Sequence, residues 1–183
     1  MTNEPHWVRQ VLDFWFSELQ EADWWAKSEV TDAAIRERFL ALHERLAADD
    51  GPGSGNCRTL LATVVVLDQF SRHLFRGSPR AYDADPIARR LARHAIARGC
   101  DSGMRDEERM FLYLPFEHSE HPADQSLAVE LFAGIGHEEW TRDALAHKAL
   151  IDRFGRFPHR NAVLGRESTP EEIAALGEPK GSF

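Results

Sequence analysis

Apolar residues recur at spacings of three and four along most of the chain, and sustained alternation with β-branched residues is almost absent, a pattern that predicts helices. Val8, Val11, Leu12, Trp15 and Leu19 form a first stripe. Ile35, Phe39, Leu42 and Leu46 form a second, entered from Thr31 as its N-cap. The acidic, glycine-rich residues 49–55 read as an exposed loop. The third helix, spanning roughly 56–76, opens with Leu60, Leu61, Ala62, Thr63, Val64, Val65, Val66 and Leu67. That run is apolar nearly all round, which places the first half of the helix in the centre of a core.

Asp85 and Pro86 read as cap and first-turn residue of a fourth helix, ending before Gly99, where a left-handed cap fits. A fifth starts near Arg105 and meets Pro115, which should kink or end it. Helices over 122–135 and 139–154 follow, and Thr169, Pro170, Glu171 and Glu172 form a capping box before a short terminal helix. Residues past 177 should fray.

At 183 residues, one core and a single domain over 1–183 are expected. Hydrophobic residues make up 43% of the chain, too apolar for disorder, and five Trp and eleven Phe favour aromatic packing between helices. A net charge of −8 argues against a duplex nucleic acid partner, because neutralising phosphates needs a basic surface. The chain has two cysteines, Cys57 and Cys100, too few to staple a fold of this size and without metal spacing, so a reducing compartment is the simpler expectation. The start of the chain, with Glu4, His6 and Arg9, lacks an export signal, and the Leu60 to Leu67 run is far too short to span a bilayer. A cytoplasmic protein with no membrane association is the expectation.

Three polar runs interrupt the apolar pattern. In the first, Asp68, Arg72 and Arg76 form an i, i+4, i+8 row on the stripe of Leu61 and Val65, flanked by Gln69 and His73. Buried charges there must pair with each other or with other elements, or else hold an anionic ligand. The second is Leu114-Pro115-Phe116-Glu117-His118-Ser119-Glu120-His121, which offers acid, base and hydroxyl together. Its His118 and His121 lack the four-residue spacing of the zinc protease motif, and Ser119 lacks a nucleophile-elbow frame, so neither a metal nor a serine nucleophile is expected. The third runs from Arg153 through Phe154, Gly155, Arg156, Phe157, Pro158, His159, Arg160 and Asn161 to Gly165 and Arg166, an irregular segment after a helix whose arginines are natural counter-charges for Asp68, Glu117 and Glu120. The glycines before Cys57 follow no strand and precede no Lys-Ser or Lys-Thr pair, so they form no phosphate loop, and no cofactor is expected.

Val11-Leu12-Asp13-Phe14-Trp15-Phe16, the run from Leu67 to Gly77, the run from Leu114 to Glu120 and the run from Arg153 to Arg166 together resemble the bacterial domain-of-unknown-function family 924, in order and over almost the whole chain. Ser71 and His73 stand where that family's run often has Pro and Asn. The resemblance implies an all-α fold of antiparallel helix pairs in a tetratricopeptide-like right-handed superhelix, with about seven to nine helices and a concave face. It implies no activity or catalytic residue.

Three functional readings follow. The first is a binding or scaffolding domain for an anionic small molecule or acidic peptide, with Asp68, Gln69, Arg72, His73, Arg76, Arg156, His159, Arg160, Asn161 and Arg166 as the ligand-binding set. The second is a hydrolase-like enzyme in which His118 or His159 acts as acid or base and Glu117 or Glu120 orients it. In the third, the polar runs are purely structural.

Overall fold

The structure is a computed structural model that describes residues 4–49 and 55–178. Most of the expected 49–55 loop, and the fraying expected at the end of the chain, fall outside the described residues. Those residues form nine helices and no strand. They divide into two compact units, residues up to Arg76 with Arg80–Leu112, and Gly77–Pro79 with Tyr113 onward.

In the first unit, α1 runs His6–Asp13 and continues as a π-helical segment, Phe14–Glu18. α2 is Glu21–Trp25 and α3 is Glu29–Ala48. Ser28, not Thr31, caps α3: the Ser28 hydroxyl accepts from the Thr31 amide, so the helix begins about one turn earlier than a Thr31 cap would start it. α4 comprises Cys57–Val64, a π-helical segment Val65–Phe70 and a last α-turn Ser71–Leu74. Its Asn56 cap accepts from the Thr59 amide at 2.8 Å.

α4 packs against α1, α3 and α5, the last being Asp85–Ala97. This central position explains why every side chain from Leu60 to Leu67 is buried. Each large one contributes about 1.5–3 kcal/mol by leaving water. Trp15, Trp24, Phe70 and Phe111 form an aromatic cluster beside it, with Trp15 and Phe111 edge to face at 5.3 Å. The Trp24 indole N–H donates to the Trp15 carbonyl at 2.8 Å, which gives the one polar atom of that ring a partner inside the cluster.

Asp85 opens α5 but does not cap it. Its carboxylate accepts two hydrogen bonds from Arg72, at 3.0 and 3.2 Å. Gly99, with φ +70°, ends α5 in the left-handed conformation expected of it. Cys57 and Cys100 are joined by a disulfide, a bond that the cysteine count did not call for: helix packing in three dimensions brings together two residues separated by 43 positions.

α6, Asp106–Glu117, carries Pro115 in its last turn and ends two residues beyond it. In the second unit, α7, Pro122–Ile135, and α8, Glu138–Phe154, form a closely packed hairpin across Gly136 and His137. α9 is Pro170–Leu176, and its capping box is present in full, with Thr169 accepting from the Glu172 amide and Glu172 from the Thr169 amide. No helix among the described residues is long and apolar enough to cross a membrane.

Candidate functional site

The candidate residues fall into the two units, and each group is anchored by arginine–carboxylate pairs. In the first unit, Asp68 is fully buried within the π-helical segment of α4, with the Gln69 amide donating to it at 2.6 Å and the Arg72 guanidinium forming an ion pair with it at 3.4 Å. Burial disfavours the Arg72 charge, but Asp68 and Asp85 outweigh it and raise its pKa. The expected row breaks after Arg72. Arg76 lies past the end of α4 and makes a two-pronged pair with Asp32 of α3, at 2.8 and 2.9 Å. His73 Nδ1 lies 2.7 Å from the same carboxylate. Burial pushes the His73 pKa down against that contact, whereas Arg76 and His73 together overcome burial at Asp32 and lower its pKa. Asp32 is a partner that sequence spacing did not single out; it sits in the first turn of α3, where acidic residues are common for dipole reasons alone.

In the second unit, the segment after α8 is held by three anchors. Arg166 donates to both oxygens of Glu120, at 2.7 and 2.9 Å, and its remaining N–H groups reach Asn161 Oδ1 and the Phe157 carbonyl. Glu120 also accepts from the Phe157 amide at 2.7 Å, and these donors overcome burial to lower its pKa. Arg156 grips Glu172 at 2.6 and 2.9 Å. With the Thr169 amide helping, it brings the Glu172 pKa down to about 2. Asn161, fully buried, donates to Ser168 and Glu172 and so links the two pairs. A shallow groove between α8 and α9 is lined by Arg153, Phe154, Arg156, Thr169, Glu171 and Glu172, and its charges are mixed.

The same unit gathers three imidazoles. His118 and His147 have ring centroids 6.4 Å apart, and Phe157 lies edge-on to His147 at 5.6 Å and 5.4 Å from His159. Arg160, itself buried, has its guanidinium 4.6 Å from the centre of the Phe157 ring. His147 Nδ1 lies 2.9 Å from the Asp143 carbonyl and 3.1 Å from Glu117 Oε1, which places its proton on Nδ1 and the lone pair on Nε2. Burial, then the charges of Arg160 and the neighbouring rings, pushes His147 down to about 3 and His159 down to about 4. From the sequence, Glu117 or Glu120 is the group expected to orient His118 or His159; the structure adds His147 as a contact of Glu117. The available signal was a histidine at helical spacing among Ala144, Leu150 and Ile151 on the buried face of α8.

Ser119 donates to Asp124 at 2.8 Å and accepts from the His121 amide at 3.2 Å, so its hydroxyl serves the entry to α7. Gln125, fully buried, donates from Nε2 to the carbonyls of Glu117 and Ser119, both at 2.6 Å, and so closes the end of α6. Among the described residues, no group of three or more His, Cys, Asp or Glu has the arrangement to hold a metal ion.

A family model described as bacterial protein of unknown function, DUF924, matches residues 11–180. The chain belongs to this family. The DUF924 match takes in all three polar runs, from Asp68 to Arg166. This DUF924 chain is also similar to a solved structure, the protein of unknown function ATU0120 from Agrobacterium tumefaciens, with 37% sequence identity and a TM-score of 0.89 over 94% of this chain and 98% of that one. A comparison with curated proteins finds no match.

Proposed function

We propose that the chain is a cytoplasmic binding domain, its helices paired in a tetratricopeptide-like superhelix, that takes an anionic small molecule or an acidic peptide at Arg160 and the imidazoles of His118 and His159. The observation that supports this reading is the grouping of side chains there: the buried Arg160 guanidinium lies over the Phe157 ring, which also meets His159, and Arg160 and His118 disfavour protonation of His159 against Glu120. A carboxylate or phosphate entering there relieves that repulsion and gains charge-assisted hydrogen bonds. In this reading Arg72, Arg76, Arg156 and Arg166, paired with Asp85, Asp32, Glu172 and Glu120, hold the framework of their units.

The test is a titration of the histidine ring protons by NMR in the presence of inorganic phosphate, a dicarboxylate and an acidic peptide. Binding should raise the His159 midpoint by about one pH unit. Arg160→Gln, checked to be folded, should abolish the shift. If none of the three anions moves any of the His118, His147 or His159 signals, the reading is wrong.

The Glu117–His147 contact supports a second reading as a hydrolase-like enzyme, since a carboxylate that orients an imidazole is the arrangement of a general base. It is the weaker reading. A ring with a pKa near 3 is a poor proton acceptor at neutral pH, and the neighbouring Ser119 hydroxyl is directed at Asp124.

A further inference from the structure

We infer that Cys57 and Cys100 are a thiol–disulfide exchange pair, with Cys57 the sulfur that reacts with a small-molecule disulfide or thiol and Cys100 the sulfur that resolves it. Neither residue belongs to the anion site proposed above, and the inference stands without it.

The first observation is the asymmetry between the two positions. Cys57 is the first residue of α4 and half-buried, whereas Cys100 is 6% exposed in the short 3-10 turn after Gly99. A reagent in solution therefore meets Cys57 first. The start of α4 also favours negative charge on that sulfur. Asn56 caps the helix through the Thr59 amide, so Cys57 stands at the positive end of the α4 dipole.

The second observation is that the two segments are held together by more than the sulfur bond. Arg98, two residues before Cys100, donates to the Gly55 carbonyl, two residues before Cys57, at 2.6 Å. α4 and α5 pack along their lengths, and the left-handed Gly99 turns the chain back toward the start of α4. The Cα atoms of the cysteines lie 5.3 Å apart, inside the usual range for a disulfide. With the bond reduced, the helix packing and the Arg98 contact keep the thiols apposed, so closure is intramolecular and outruns a second encounter with reagent.

The chemistry balances as two exchanges. The Cys57 thiolate attacks one sulfur of an external disulfide, forming a mixed disulfide and releasing one thiolate. Cys100 then gives up its proton and attacks the Cys57 sulfur, which breaks the mixed disulfide and releases the second thiolate. Two protein thiols are oxidised to one disulfide, one external disulfide is reduced to two thiols, and the two protons from the cysteines pass to the released thiolates.

Reduced full-length protein, pulsed with iodoacetamide and analysed by peptide mass spectrometry, should carry label on Cys57 about ten-fold or more ahead of Cys100. Reduced protein given glutathione disulfide should end two hydrogens lighter with no adduct. The Cys100→Ser variant should instead stop as a single glutathione adduct on Cys57. Equal labelling of the two cysteines in the wild-type protein overturns the assignment of roles. A wild-type end product that keeps glutathione on either cysteine overturns the pairing, whether or not the serine variant folds.

Discussion

Glu120 and Arg166 stand 46 residues apart in the chain and meet through two parallel hydrogen bonds, at 2.7 and 2.9 Å. Both are partly buried, and Glu120 receives the Phe157 amide as well, so the pair fixes the irregular segment after α8 to the end of the second polar run. Arg166→Ala should lower unfolding free energy by about 2–3 kcal/mol, read by urea denaturation, because it strands a partly buried carboxylate. Arg166→Lys should recover less than half of that, since an ammonium cannot reproduce the planar two-pronged contact. A lysine variant as stable as the wild type would show that charge alone matters.

Arg72 provides the corresponding test in the first unit. Its partners Asp68 and Asp85 come from α4 and α5. Asp85→Ala should cost about 3 kcal/mol, whereas a residue whose only part was to cap α5 would cost about 1 kcal/mol. The same denaturation experiment separates the two magnitudes.

Acid sensitivity follows from the buried imidazoles. His43, which lies 2.6 Å from the Ser71 hydroxyl, is pushed down to about 4 by burial and then by Arg80; His159 also falls to about 4 and His147 to about 3. In each case the folded-state pKa is below the unfolded value near 6.5, so the unfolded chain binds more protons on acidification. The stability these neutral rings contribute is complete above about pH 6.5 and is lost as pH falls toward 4, by at most about 1.4 kcal/mol per pH unit for each ring. Thermal midpoints should be flat above pH 7 and decline steeply below pH 6. In His147→Gln the decline should be shallower.

The terminal helix depends on its cap. Thr169→Ala removes the acceptor for the Glu172 amide and should cost about 1 kcal/mol. The Glu172 carboxylate, with a pKa near 2, holds this region together above about pH 4.5 and progressively releases it as pH falls toward 2. Amide exchange in α9 should therefore accelerate across that acidic window before the rest of the unit opens.

The helices were legible because their signals are local. The Leu60 to Leu67 run, the glycine at position 99 and the Thr169 to Glu172 box each encode their own conformation, and the structure bears out all three. Thr31 and Asp85 were misjudged as caps for one reason: several residues near a helix start can cap, and the choice is made by what else competes for the side chain. Asp85 is drawn to Arg72, 13 positions earlier. The pairing of the arginines was partly visible. Arg166 with Glu120 was among the expected counter-charges, but Arg76 with Asp32 and the contact of His147 with Glu117 depend on helix packing that no spacing rule conveys. The cysteine bond is of the same kind.

The π-helical segment Val65–Phe70 gives α4 a wider turn than an α-helix has, and it falls where the buried chain changes from apolar to ionic. Such a segment is equivalent to one residue inserted into an otherwise regular helix. Because the wide turn takes up that extra residue, the chain beyond it keeps the facing of a regular helix, and Ser71, Arg72 and His73 meet His43, Asp85 and Asp32. Loss of one residue from the stretch would therefore leave a plain α-helix with these three contacts in place. A further residue, with no second wide turn to absorb it, would turn all three side chains by about 100° about the helix axis and away from their partners together.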